Sequence, residues 1–122
     1  MKSASIFLAA GLLIVFGYTY AQRFPTNDIT QAQAIKIASK LRVGMTREQM
    51  ANVIERQNGL KGGMGVGSPI SGWTYFYVLS NGCSLDLRFD PKGLSTNFWL
   101  TAASIRKRSG ETILTIPLTN AP

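Results

Sequence analysis

The side chains that could perform acid–base or nucleophilic chemistry are few and widely spaced in this sequence. Histidine, the commonest general base and a frequent metal ligand, does not occur among the 122 residues. The acidic residues are scattered over predicted helices, turns and the solvent side of a strand: Asp28, Glu48, Glu55, Asp86, Asp90 and Glu111. No serine or threonine has an evident base. We therefore expect no catalytic residues, no metal site and no enzymatic activity.

A second candidate for chemistry is the glycine-rich segment 59–72, because backbone N–H groups of glycine loops can bind phosphate. Its central part, Gly62-Gly63-Met64-Gly65-Val66-Gly67, lacks the Lys and the Ser or Thr that follow in nucleotide-binding loops. It also precedes a predicted strand, so no helix N-terminus would support a phosphate. We expect no nucleotide or other cofactor and interpret segment 59–72 as a mobile loop of open role.

Cys83 is the one cysteine of the chain, so an internal disulfide is impossible. It continues an alternation in which Leu85, Leu87 and Phe89 are apolar and the intervening residues are polar. This period of two places Cys83 on the apolar face of a half-buried strand. We predict that the thiol is buried and structural.

The net charge is +7, which favours contact with acidic surfaces, but only Arg106-Lys107-Arg108 forms a basic run. No nucleic-acid-reading module accompanies the basic residues, and we expect no nucleic-acid partner. Aromatic and arginine side chains are enriched at the centres of protein interfaces. We therefore predict that Trp73, Tyr75, Arg106 and Arg108 contact a protein partner, around the mobile loop and the sheet edge.

The first residues have the order of an export signal. Lys2 precedes the apolar run Ile6–Phe16, and Thr19-Tyr20-Ala21 has small residues at the first and third positions of a cleavage site. We expect a signal peptide over residues 1–21 and an exported, periplasmic or envelope-associated protein. The alternative is an uncleaved segment that anchors the protein in a membrane.

Two helices are predicted after a flexible arm at residues 22–29. Thr30 and Gln33 form a capping box for the first helix. Gly44 can close that helix in the left-handed conformation, and Thr46 with Gln49 forms the capping box of the second, which runs from about Arg47 to Arg56. The two helices therefore meet at the segment Leu41–Met50.

Strands are predicted in the second half of a single domain at residues 30–118, followed by a tail at 119–122. Trp73–Leu79 and Cys83–Phe89 flank an Asn-Gly turn, and Leu94–Leu100 follows the reversal Asp90-Pro91-Lys92-Gly93. Segments 104–107 and 112–118 are candidates for a further hairpin, in which Pro117 marks an edge strand. We predict an α+β fold in which a helical hairpin covers one face of a three- to four-stranded antiparallel sheet.

The order of these motifs resembles the SmpA/OmlA (BamE-like) family of bacterial envelope proteins. The resemblance spans roughly Ala32 to Leu100 and rests on Gly44, Met45, Thr46 and Gln49, followed by an aromatic strand and the turn Phe89–Gly93. It implies the ααβββ order and a non-catalytic binding or scaffold protein that supports outer-membrane protein assembly. The founding members are lipoproteins acylated at a cysteine after the signal, and this chain has no cysteine there.

Two alternatives remain open for function. The first is a small secreted inhibitor or ligand-binding protein that resembles β-lactamase-inhibitory proteins, although this chain has room for one repeat of that layout. The second is a phage or mobile-element protein that acts on the envelope. The main prediction is an envelope protein partner, with membrane association through residues 1–21 if that segment is retained.

Overall fold

The computed structural model describes residues 26–92 and 97–120. The predicted signal peptide, most of the predicted arm, the turn residue Gly93 and the start of the predicted strand Leu94–Leu100 lie outside the described residues, as do the last two residues of the predicted tail.

The described residues form two short α-helices, one π-helix and five strands. Helix α1 is Gln31–Ala38, helix α2 is Arg47–Ala51, and the π-helix Asn52–Gln57 continues α2 directly. The strands are β1 (Met64–Ser68), β2 (Gly72–Val78), β3 (Ser84–Pro91), β4 (Phe98–Arg106) and β5 (Thr112–Ile116).

Both helices begin with the capping boxes that the sequence predicts. The Thr46 hydroxyl accepts from the Gln49 N–H at 3.2 Å, and the Gln49 side chain accepts from the Thr46 N–H at 3.0 Å. Thr30 and Gln33 make the same pair of bonds at 3.2 and 2.8 Å. Each box satisfies two donors that a helix start leaves without an intrahelical partner.

The junction between the helices is attached to the sheet. The Gly44 N–H donates to the Leu100 carbonyl at 2.9 Å, and the Leu100 N–H donates to the Met45 carbonyl at 2.8 Å. Gly44 has a φ of +94°, a conformation that a side chain would strain. The junction segment therefore fixes where α2 begins relative to β4.

The five strands form one antiparallel sheet with neighbours in sequence order from β1 to β5. The inner face of this sheet is the one that packs against the helices. It carries the buried side chains Tyr77, Leu85, Leu87, Phe89, Leu100, Ala103, Ile105 and Ile116. The helical side contributes the buried residues Ala34, Ala38, Leu41, Met50 and Ile54, and the two sets form one core.

The predicted helical hairpin on a three- to four-stranded sheet is wrong. The described chain is mostly one five-stranded antiparallel sheet, and its two α-helices span eight and five residues. The apolar side chains at helical spacing cover part of the inner face of the sheet. Their spacing does not make either helix longer. The second predicted helix leaves the α-helical pattern at Asn52, where the π-helix begins.

The predicted mobile loop at 59–72 contains the additional strand. β1 pairs with β2 from Met64↔Phe76 to Ser68↔Gly72. Glycine is required here for close approach, since a Cβ at Gly63 would lie 2.5 Å from Tyr77 Cζ and a Cβ at Gly65 would lie 2.7 Å from Tyr75 Cε1. The two tyrosine rings thus occupy the space that a side chain at position 63 or 65 would take.

Residues 98–100 of the predicted strand Leu94–Leu100 and residues 104–106 of the predicted segment 104–107 belong to the single strand β4. A bulge between Arg88 and Phe89 interrupts its pairing with β3. β5 lies at the end of the sheet, as the position of Pro117 predicts.

The described end of the predicted arm lies against the sheet. The Asn27 N–H donates to the Val78 carbonyl at 2.9 Å, and its side chain exchanges hydrogen bonds with the backbone of Lys61 at 2.7 and 3.1 Å. Asn27 is buried, and these bonds satisfy its amide. They attach residues 26–29 to the β2 edge beside the start of β1.

Replacement of Gly63 by Ala tests the close approach of β1 to the tyrosine rings. We expect Gly63→Ala to lower the free energy of unfolding by about 1–3 kcal/mol, because Tyr77 is fully buried and its ring has no space to move. Gly65→Ala is the matched comparison, with a smaller loss, because the Tyr75 ring is only half-buried. Urea denaturation measures both variants, and equal midpoints for Gly63→Ala and wild type would contradict this packing.

Candidate functional site

The outer face of the sheet, opposite the helices, carries the side chains that alternate with the core residues. It consists of Met64 and Val66 on β1, Thr74, Phe76 and Val78 on β2, Ser84, Asp86 and Arg88 on β3, and Ser104 and Arg106 on β4. The described helices pack against the inner face. The outer face therefore presents a surface of mixed apolar and charged side chains.

A groove of about 710 Å³ runs across this outer face. Its apolar part is formed by Met64, Val66, Phe76 and Val78, from the two strands β1 and β2. Val66 is 47% exposed, one of three large hydrophobic residues with high exposure in the described chain. Contiguous apolar surface of this kind is typical of sites that bind a partner or a ligand.

The polar part of the groove is a cluster of Ser84, Asp86 and Arg106. The Ser84 hydroxyl donates to Asp86 Oδ1 at 2.5 Å, and Arg106 Nη1 lies 3.6 Å from Asp86 Oδ2. Arg106 Nε is buried and has no hydrogen-bond partner within the described chain. The Asp86 carboxylate therefore pairs with Nη1 of the Arg106 guanidinium, while Nε makes no hydrogen bond within the described residues.

The pKa of Asp86 in this cluster is shifted, and the two charged side chains differ in exposure. Burial raises the pKa of Asp86 above its ordinary value, and the Ser84 hydrogen bond and the Arg106 charge act in the opposite direction. Asp86 has a 13% exposed side chain, whereas that of Arg106 is 43% exposed. The positive charge of the pair is therefore the one that a partner can reach.

A basic rim continues the groove beyond Arg106. Lys107 lies 3.6 Å from Glu111, and Arg108 is exposed in the turn between β4 and β5. Both basic residues line the groove. An exposed ion pair such as Lys107–Glu111 is weak, so the rim retains a positive potential.

Trp73 and Tyr75 lie on the other side of the sheet. They line a cleft of about 490 Å³ with Thr46, Arg47 and Phe89, next to the start of α2. The Arg47 guanidinium lies 4.9 Å from the centre of the Tyr75 ring, and the Tyr75 and Phe89 rings meet edge to face at 5.4 Å. These contacts fix Tyr75 between the helix and the core.

No protein-family model, curated protein or solved structure matches this chain. Its functional interpretation therefore depends on the residues of the site.

The structure separates the four predicted contact residues into two pairs. Arg106 and Arg108 line the groove of the outer face, whereas Trp73 and Tyr75 face the helices. Of the structural motif, Gly44, Met45 and Gln49 border a further pocket beside Trp99 and Leu100, whereas Thr46 borders the cleft of Trp73 and Tyr75. Both places lie away from the outer-face groove. A single interface cannot contact both pairs directly, and only the arginines adjoin the apolar groove.

The sequence interpretation missed Met64, Val66, Phe76 and Val78 as site residues. The available signal was the alternation of Met64 and Val66 with glycine, which has the period of a strand. The interpretation also treated Asp86 as a solvated charge, whereas it is half-buried and paired with Arg106. Cys83 precedes β3 and is half-buried, and its sulfur accepts from the Gln31 side chain at 3.3 Å.

Two kinds of structural feature are absent from the described residues. Within 26–92 and 97–120, no three His, Cys, Asp or Glu side chains are grouped in a way that could hold a metal ion. The same residues contain no helix of the length and hydrophobicity needed to cross a bilayer.

Arg106→Gln tests the electrostatic cluster. The variant loses the positive charge 3.6 Å from Asp86, so we expect the pKa of Asp86 to rise further above its ordinary value. The folded variant then holds this proton more tightly than the unfolded chain. Its free energy of unfolding should therefore fall more than that of the wild type as the pH rises between the unfolded and folded pKa values.

The pKa of Asp86 is measured by NMR titration of its carboxyl carbon. Arg108→Gln is the matched control, because it removes the same charge from the rim but not from the ion pair. An Asp86 pKa that responds equally to both substitutions would contradict a specific Asp86–Arg106 interaction.

Proposed function

We propose that this chain is a non-catalytic protein-binding module of the bacterial cell envelope and that the outer-face groove binds its partner. The observation that carries the proposal is the meeting of an apolar surface and a basic rim in one groove of about 710 Å³. Such a groove provides both apolar area for affinity and charge for orientation.

The envelope assignment rests on the sequence. Residues 1–21 have the order of an export signal, and the motif at Gly44–Gln49 resembles the SmpA/OmlA family. On this basis we propose a scaffold role in the assembly of outer-membrane proteins. The proposal does not require catalysis, because binding alone can hold an assembly together.

The charge of the groove indicates the chemistry of the partner. Asp86 and Glu111 already lie beside Arg106 and Lys107, whereas no ion pair of Arg108 is seen in the described chain. The exposed part of Arg106 and the whole of Arg108 are therefore available to carboxylates. We propose that the partner segment combines apolar side chains, which contact Val66 and Val78, with at least one acidic side chain at the rim.

A photo-crosslinking amino acid at Val66 tests this proposal in the full-length protein in its native envelope. We expect an adduct with an envelope protein from position 66, and no such adduct from position 70, where Ile70 is 90% exposed but lies outside the groove. Mass spectrometry identifies the adduct and distinguishes it from a second copy of the chain.

Arg108→Glu, combined with the crosslinker at position 66, tests the role of charge. An exposed ion pair contributes up to about 1 kcal/mol, so loss of one contact should reduce the adduct by about fivefold. Lys40→Glu makes the same change in net charge on the helical side and should leave the adduct unchanged. Equal reductions by the two variants, or no adduct at position 66, would refute the proposed site.

A further inference from the structure

The free edge of β1 differs from the other edge of the sheet. Within residues 26–92 and 97–120, β1 pairs only with β2, and its second edge has no strand beside it. Half of the N–H and C=O groups of an edge strand point away from the sheet and can pair with another strand. Natural edge strands usually carry a charge, a proline or a bulge that prevents such pairing, and Met64–Ser68 contains no charge and no proline.

The charge distribution favours a second copy at this edge. The chain carries a net charge of +7, yet no charged residue occurs between Lys61 and Asp86. Two copies of a basic protein repel each other at most surfaces. β1 lies near the start of this neutral segment, so pairing of Met64–Ser68 with its own copy brings no charged residue of either strand into the contact.

The side chains of β1 also fit its own copy. Full antiparallel overlap of Met64–Ser68 with a second Met64–Ser68 places Val66 opposite Val66 and each Gly65 opposite a Gly67 of the second copy. Gly65 and Gly67 lie on the inner face, opposite Tyr75 and Trp73 of β2. No β1 side chains would therefore collide on that face, and on the outer face the two valines would form an apolar cross-strand pair.

We propose that β1 pairs antiparallel with β1 of a second copy, around a two-fold axis at Val66, and so joins two sheets into one. A two-fold arrangement uses the same surface of both copies and stops at a dimer. The opposite edge does not continue the assembly, because β5 lies between the charged turn Lys107–Glu111 and Pro117. Val66 lines the outer-face groove as well as this contact, but the dimer does not depend on the function proposed for the groove.

The contact is short, since β1 has five residues. It falls below the area of about 1,600 Å² that is typical of stable interfaces, so we expect a dimer that dissociates on dilution. Sedimentation velocity of the full chain between about 10 and 500 µM should detect reversible dimer formation of low affinity. A wild type that remains monomeric throughout would overturn the proposal, and so would growth into larger oligomers.

A charge exchange at Val66 tests the geometry of pairing. Val66→Lys places two positive charges opposite each other, and Val66→Glu places two negative charges there, so each variant alone should lose at least about tenfold in dimer affinity. An equimolar mixture should recover association, because lysine then faces glutamate. Energy transfer between differently labelled variants measures the mixed dimer.

Ile113→Lys and Ile113→Glu are the matched controls, because Ile113 is 39% exposed on the opposite edge strand β5. They should leave dimerisation at the wild-type level. All variants share residues 1–25, so self-association through that part of the chain would be insensitive to every substitution. Equal dimerisation of wild type and both Val66 variants, or no recovery in their mixture, would refute pairing through β1.

Discussion

The alternation of side chains along the central strand β3 is the constraint on which the core and the candidate site both depend. Leu85, Leu87 and Phe89 are completely or almost completely buried on the inner face, and this fixes Ser84, Asp86 and Arg88 on the outer face. A shift of one residue would expose the three apolar side chains and bury two charges, which is strongly unfavourable. The same burial that stabilises the domain therefore places Asp86 beside Arg106.

Much of the central sheet could be predicted from local sequence. The Asn81-Gly82 turn and the period of two in Leu85–Phe89 define the hairpin of β2 and β3 to within about two residues, because both signals depend on neighbouring residues alone. The capping boxes at Thr30 and Thr46 are equally local. The edge position of β5 followed from Pro117, which cannot donate a backbone hydrogen bond to a neighbouring strand.

The strand β1 was not predicted, because glycine has a low intrinsic preference for strands and the local signal is limited to the alternation of Met64 and Val66 with glycine. Its structure depends on Tyr75 and Tyr77, which lie at least ten residues later in the sequence and need glycine beneath their rings. The high density of glycine in this segment therefore marks a close approach of the backbone to the tyrosine rings, whereas the sequence analysis predicted a mobile loop. The helical hairpin was overestimated for a related reason: the core needs only a few small and apolar residues from that side, such as Ala34 and Ala38, and short helices supply them.

The separation of the predicted contact residues onto the two faces of the sheet also has a physical reason. Both sets of alternate positions in β2 are apolar or aromatic, so the sequence of that strand does not reveal which set faces the helices. Pairing with β3 decides it, since Tyr75 is opposite Leu87 and Phe76 is opposite Asp86. Trp73 and Tyr75 are thereby assigned to the helical side and Phe76 and Val78 to the outer face. Because both faces of β2 are apolar or aromatic, this strand contributes to the core on one side of the sheet and to the apolar surface beside the basic rim on the other.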